Sequence, residues 1–356
     1  MSAPPPVVVC VLGMHRSGTS LLARLLNFAG VELGAASSLA RAADDNPRGF
    51  WEHEGLREIN DALLHAFGGS WMHPPELPED WTRDPRVTEL RARAQALVAR
   101  EFGGRSLWGF KDPRTTLLTD FWREILPGRI AWIVAVRNPL EVADSLKRRD
   151  GFPSVLSEDL WNAYTRAALR EAPAAERAIV HFERLLAEPA AEIERLMRVL
   201  ALPGGSVSPE AAARMREEAA RDLRHHSHGL DEIHGSQELR PDTCELYLRL
   251  WNGEDVGQLL KQPEVGFGRA FKDLHAEFAR LVDQQERMRT ALTDRELQAE
   301  EALREAARTQ REATEWRDEA MQLRSEVGLL KTRTEYRMGE RLRRIWRRLR
   351  GRAPQA

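Results

Sequence analysis

Val7-Val8-Val9-Cys10-Val11-Leu12 runs into Gly13-Met14-His15-Arg16-Ser17-Gly18-Thr19-Ser20, and the rest of the chain is organised around this stretch. The first six residues form an unbroken apolar run, as expected of a strand buried on both faces of a parallel sheet. Beyond the loop, Leu21, Leu22, Leu25, Leu26 and Ala29 recur at helical spacing. The glycine-bracketed turn therefore ends on a helix N-terminus, whose first amides lack intrahelical partners and form a cradle for an anion.

The spacing from Gly13 to Gly18 is that of a nucleotide-binding P-loop, yet Thr19 stands where that signature requires lysine. The loop's cation is instead Arg16, whose rigid fork of donors suits a phosphate or sulfate. The loop reads as a phosphate cradle altered away from ATP hydrolysis. On this stretch alone, the strand-to-helix turn of any α/β protein remains the alternative.

Further apolar runs at 106–110, 130–136 and 178–182 predict three more strands. Helical patterns separate them, near 56–67, 84–102, 116–125, from Pro139 through Val142, Ser145 and Leu146, and near 189–201, with Trp161 and Tyr164 on a further helix, placed in its core first and in the wall of a site second. Strands alternating with helices predict an α/β, doubly wound parallel sheet. Residues 70–86, rich in Trp, Pro and acid, read as a surface lid or connector, and 208–260 as helical with a polar interruption at 224–229.

The chain has 356 residues, enough for one large α/β domain and an appendage. Cys10 and Cys244 are too few and too far apart for a disulfide framework or zinc site. The apolar run near the N-terminus is too short for a signal peptide or membrane span, so a cytoplasmic protein is expected. The net charge of −2 conceals an asymmetry, because residues 337–352 carry eight Arg and one Glu. That segment is +7 and the remainder −9, with no nucleic-acid surface apparent in the body.

Past about residue 269, glycine and proline become scarce and a heptad seam appears, from Phe271 and Leu274 through Met288, Leu292, Trp316 and Leu323 to Leu330. It predicts a long helix of roughly 100 Å that self-associates as a coiled coil, with a single exposed helix as the alternative because Arg295 and several alanines weaken the middle of the seam. The divisions expected are 1–262 for the α/β domain, 263–336 for the coiled coil and 337–356 for a basic tail. In the tail, Met338, Leu342, Ile345, Trp346 and Leu349 share one helix face opposite arginines, which fits an anionic membrane surface. A solvated coiled-coil end or adventitious nucleic-acid affinity remains open.

In an open parallel sheet, ligands bind beyond the carboxyl ends of the strands. Three such ends carry cations: Arg16, Lys111 and Arg137. A magnesium-dependent NTPase should offer a metal-binding aspartate at a late strand end, where this chain has Arg137. Side-chain cations in place of a metal suit a transferred group less charged than phosphoryl, and sulfuryl is such a group.

Gly13 to Ser20 resembles the 5′-phosphosulfate-binding loop of the sulfotransferases. Arg137-Asn138-Pro139, with Ser145 eight residues after Arg137, is similar to their 3′-phosphate motif. Lys111-Asp112-Pro113 resembles a motif of the tyrosylprotein sulfotransferases in which the lysine helps bind the sulfuryl group. The resemblance spans about residues 7–202. It implies the donor 3′-phosphoadenosine 5′-phosphosulfate (PAPS), with His15, Arg16, Ser17, Gly18, Thr19 and Ser20 around the 5′ end and Arg137 and Ser145 on the 3′-phosphate. No metal is called for. The glycine-rich, lysine-bearing C-terminal loop of the cytosolic enzymes has no clear counterpart, which leaves the adenine contacts unassigned.

An acceptor hydroxyl needs a base. Glu52 ranks first, because the loop from Asn46 brings it beside Phe50 and Trp51; His53 ranks second and Glu32 third. Acids also favour helix starts, so Glu52 as a mere helix cap is the alternative. Arg48 would bind an anionic acceptor or neutralise Asp44 and Asp45. His225, His226 and His228 match no zinc spacing and read as a polar loop near the acceptor cleft. Asp112 and Arg114 are expected to orient Lys111 and the loops.

The expected activity is sulfuryl transfer from PAPS to a hydroxyl, of a carbohydrate or glycan, with Arg16 and Lys111 stabilising charge and Glu52 taking the proton. Expected partners are a second copy of the chain and an anionic membrane, not nucleic acid. A P-loop kinase or NTPase, and a scaffold carrying a degenerate nucleotide domain, are the competing classes.

Overall fold

A computed structural model of the chain describes residues 5–39, 51–204, 206–221, 228–261 and 269–350. Four parallel strands, β1 (Val7–Gly13), β2 (Leu107–Lys111), β3 (Arg129–Val136) and β4 (Arg177–His181), form one sheet in the order β2-β1-β3-β4. Val11 of β1 pairs with Lys111 on one side and Ile133 on the other. The chain leaves β1 for β2 on one flank and later enters β3 on the opposite flank. The carboxyl end of β1 is thus the switch point at which a ligand crevice opens.

Alternation along β1 explains its continuous apolar character. Val8, Cys10 and Leu12 join Trp132 and Val134 in one core, while Val9 and Val11 join Ala131 and Ile133 in a second on the opposite face. The first core is covered by α2 (Glu54–Ala66), α3 (Thr88–Phe102), α4 (Thr119–Ile125), α5 (Pro139–Asp150) and α6 (Ser154–Glu171). The second is covered by α1 (Thr19–Phe28), α7 (Phe182–Ala187), α8 (Pro189–Val199) and α9 (Pro209–Arg221). Shorter helices α10 (Leu230–His234), α11 (Pro241–Asn252) and α12 (Gly257–Lys261) close the first face. The doubly wound parallel sheet predicted from the alternating pattern is the observed fold.

Three details differ from expectation. Residues 70–86 are no surface lid: Trp71, Met72 and Trp81 are buried in the first core, and Trp81 packs edge-on against Phe67. The flanking prolines and acids set the path of the segment, while burial of its indoles sets its place. The helix expected from 84 starts at Thr88, after two short 3-10 turns, the second capped by the Asp84 carboxylate on the Arg86 amide. The helix expected from 116 is split into a 3-10 turn, Pro113–Leu117, and α4, because the Asp112 carboxylate caps the turn at the Arg114 amide.

Helix α13 (Arg269–Arg350) is continuous over 82 residues, about 120 Å at the usual rise. By contacts the chain divides into Met1–Asp283 and Gln284–Ala356. The backbone does not break at 336, so the seam and the basic tail differ in composition alone. Arg48, Phe50, His225 and His226 lie outside the described residues, as do the side chains at 345, 346 and 349. No helix among the described residues is long and apolar enough to cross a membrane.

Candidate active site

β1 ends in Gly13 at φ 139°, where a Cβ would stand 2.5 Å from the Ala135 carbonyl oxygen of β3. The Gly13 amide donates to Thr116 Oγ1 at 2.9 Å. At the other end of the loop Gly18 adopts φ 80°, and a Cβ there would lie 2.2 Å from Cδ2 of Phe182. Only glycine fits either position. Gly18 also precedes α1 without any side-chain cap, so the first amides of α1 are presented to whatever the loop holds.

Arg16, between the glycines, is a non-glycine residue in the left-handed region at φ 67°, a conformation that costs about 1 kcal/mol or more. Its two ends are gripped to hold it there. Nε donates to Ser145 Oγ on α5 at 2.8 Å, and the carbonyl oxygen accepts from Arg137 Nη1 at 3.1 Å. Ser145 thus stands against the loop cation.

Arg137 follows β3. Its Nε and Nη2 both lie 2.9 Å from Glu141 Oε2, one helical turn on, and its guanidinium sits 4.3 Å over the Phe182 ring. Glu141 is fully buried, and its other oxygen accepts the His228 amide at 3.2 Å. Trp161, placed in the helical core as expected, donates its indole N–H to the Arg137 carbonyl at 2.9 Å. Asn138 caps α5 at the Leu140 amide, and its side-chain amide donates to the His228 carbonyl.

Lys111 ends β2 and is almost completely buried. Nζ lies 2.6 Å from Glu52 Oε1 and 3.1 Å from Ser20 Oγ. Glu52 precedes the start of α2 but caps nothing; its carboxylate turns to Lys111. Arg114 approaches the other Glu52 oxygen at 4.0 Å and is braced by Asp61 at 2.5 Å and Asp112 at 3.1 Å. Burial works against the Arg114 charge, but the Asp112, Asp61 and Glu52 carboxylates outweigh it and raise its pKa. Burial raises the pKa of Asp61, against the pull of Arg114. Asp112 accepts from Asn60 at 2.8 Å, and Asn60 in turn accepts the Trp122 indole N–H.

His15 is packed at 4.2 Å on Trp71 with Nε2 lacking a hydrogen-bond partner. Burial, reinforced by Arg114, Arg149, Lys111 and Arg16, depresses its pKa well below the ordinary value and keeps it neutral. Ser17 Oγ is also buried and without a partner. Unsatisfied buried polar atoms in a loop rimmed by cations, at the start of an uncapped helix, fit a multiply charged anion.

The remaining expectations separate. Glu32 pairs with Arg105, and its backbone bridges Trp108 near the start of β2. That is the opposite end of the strand from Lys111, so Glu32 does not reach this site. His53 is buried between Phe102 and Glu101, 3.6 Å from the latter's carboxylate. His228 binds Asp144 at 2.9 Å and Glu232 at 2.7 Å. Partial burial opposes its charge, but these two acids raise its pKa. Asn60, Asp61, Glu141 and Phe182 were not anticipated. Glu141 alone carried a signal, four residues after Arg137 and one helical turn away.

The profile of the sulfotransferase family matches residues 6–205. Among solved structures, the chain is similar to the sulfotransferase domain of the Synechococcus PCC 7002 olefin synthase, with 16% identity over 78% of this chain and 95% of that one at a TM-score of 0.35. Sulfotransferase STF9 from Mycobacterium avium shows 14% identity over 72% and 78% of the two chains, with a TM-score of 0.41. A retinol dehydratase in complex with androsterone and the inactive cofactor PAP shows 13% identity over 78% and 80%, with a TM-score of 0.29. No curated protein sequence matches the chain. A family match across more than half of the sequence, centred on the loop and strand ends described above, makes this chain a member of the sulfotransferase family.

Proposed function

We propose that the protein transfers a sulfuryl group from PAPS to a hydroxyl of a carbohydrate or glycan. The observation that carries this is the convergence of three strand-end cations on one loop: Arg137 Nη1 donates to the Arg16 carbonyl, and Lys111 Nζ reaches Ser20 Oγ at 3.1 Å. His15 to Ser20 and the first amides of α1 would hold the 5′-phosphosulfate, and Arg137 and Ser145 the 3′-phosphate. PAPS supplies an activated sulfuryl group whose leaving oxygen belongs to a phosphate.

Transfer of this kind depends on positioning and on countering the charge that develops on the sulfuryl and leaving oxygens. Arg16 and Lys111 would counter that charge. As the acceptor oxygen bonds to sulfur and the sulfur–phosphate oxygen bond breaks, the hydroxyl proton passes to Glu52. Lys111 now holds Glu52; a sulfuryl oxygen drawing the ammonium away frees the carboxylate for that proton.

Calorimetry with adenosine 3′,5′-bisphosphate, compared with ATP and magnesium, tests the donor. Tight binding of the bisphosphate and none of ATP is expected; the reverse rejects the assignment. Transfer of labelled sulfate from PAPS to a panel of mono- and oligosaccharides tests the acceptor. Labelling of phenols or peptides alone would reject the carbohydrate.

A further inference from the structure

We propose that the C-terminal turns of α13, from Arg337 onward, form a docking face for an anionic lipid bilayer, independent of the transfer site. The heptad seam cannot continue into this segment. The positions that follow Leu330 in the same phase are Thr334, Arg337, Arg341, Arg344 and Arg348. Four successive arginines at seam positions would face their counterparts in any associated copy, so the coiled coil ends there by like-charge repulsion.

The helix itself does not end. It remains regular to Arg350, and its apolar residues move to a new face. Positions 338, 342, 345, 346 and 349, occupied by Met, Leu, Ile, Trp and Leu, fall within an arc of about 100°, and none of the arginines from 337 to 350 falls inside it. Met338 is 60% exposed and Leu342 62% exposed. Arg344 reaches Glu340, the one acid of the segment, at 3.8 Å on the polar side.

Three occupants differ in what they ask of such a face. A second copy laid along the apolar arc would set arginine flanks at 341, 343, 348 and 350 against one another. Nucleic acid would use the arginines but leave five apolar positions in water, since its affinity comes from phosphate neutralisation. A bilayer with anionic headgroups uses both: the apolar arc enters the boundary between headgroups and acyl chains, with an indole suited to that depth, while the arginines lie among the phosphates. The arrangement matches the last.

The test is co-sedimentation of the full chain with phosphatidylcholine vesicles made with and without phosphatidylserine, and competition by a DNA duplex of equal charge concentration. Binding to the phosphatidylserine vesicles, weakened by salt, is expected. Leu342→Gln combined with Trp346→Gln should lower that affinity at least about tenfold, and Arg343→Glu combined with Arg344→Glu by a similar factor. Arg343→Lys with Arg344→Lys should retain it, and circular dichroism should show unchanged helix content in every variant. Equal binding to neutral vesicles, no binding, undiminished binding by the apolar-face variant, or preference for the duplex would each overturn the proposal.

Discussion

Lys111 Nζ and Glu52 Oε1 lie 2.6 Å apart, both nearly sealed from solvent, at the carboxyl end of β2. Removing one member of a buried ion pair strands the other, at a cost of about 3–5 kcal/mol, whereas replacing both with apolar groups is often near neutral. Lys111→Ala should therefore lower the denaturation free energy by that amount, and Lys111→Met with Glu52→Leu should recover most of it. The double variant should still transfer no sulfuryl group. A double variant as unstable as the single would show that the pair is not the source of the loss.

Gly18 is the second test of the site's geometry. Ala at this position combines a left-handed φ with contact against the Phe182 ring, which is packed under Arg137. Gly18→Ala is expected to cost about 2–4 kcal/mol and to abolish calorimetric binding of adenosine 3′,5′-bisphosphate. Phe182→Ala in the same chain should restore part of the stability but not the binding, since the φ constraint remains.

The strands and the loop were legible because a parallel strand buried on both faces leaves an unbroken apolar run, and a phosphate cradle leaves glycines at fixed spacing. Lys111 and Arg137 were legible as cations at strand ends. Trp71 and Trp81 were misread because prolines and acids around them look like surface, although burial follows the indoles. Asn60 and Asp61 gave no warning: on α2 they look like the polar side of an amphipathic helix, and only the tertiary approach of the Asp112–Arg114 turn turns them inward. That the Ser145 hydroxyl accepts from Arg16 was not legible either, because the contact joins residues far apart in the chain.

His181, at the end of β4, is a probe of acid sensitivity. Burial lowers its pKa to about 4, against the pull of the Leu250 carbonyl, which lies 3.1 Å from Nε2. The unfolded chain takes up this proton near pH 6.5 and the folded chain does not, so its contribution is intact above that pH and is lost as pH falls towards 4. The loss amounts to about 3 kcal/mol. Urea midpoints measured from pH 7.5 down to 4.5 should show this slope in the native chain, and His181→Gln should flatten it.

Along α13, Leu281, Met288, Leu292, Leu323 and Val327 are all more than half exposed and all occupy seam positions. Among the described residues this stripe lies exposed, and the proposed pairing with a second copy would bury it. Sedimentation equilibrium of the full chain should give an oligomer. Leu323→Lys with Val327→Lys should shift it towards monomer while transfer activity per chain stays unchanged, and a native chain that sediments as a monomer at all concentrations would refute the pairing.

Arg137 and Glu141 separate charge from geometry in donor binding. The guanidinium spends two donors on one buried carboxylate oxygen and a third on the Arg16 carbonyl, so it positions the loop in addition to its proposed part in holding phosphate. Arg137→Lys keeps the charge but cannot span these partners. Its affinity for adenosine 3′,5′-bisphosphate should fall about ten- to a hundredfold, the value of charged hydrogen bonds, with modest loss of stability. Arg137→Ala strands Glu141 as well, and should lose both binding and about 3–5 kcal/mol of stability. If the lysine variant instead binds as tightly as the native chain, charge alone suffices, and the fixed fork joining β3, α5 and the loop plays no part in holding the nucleotide.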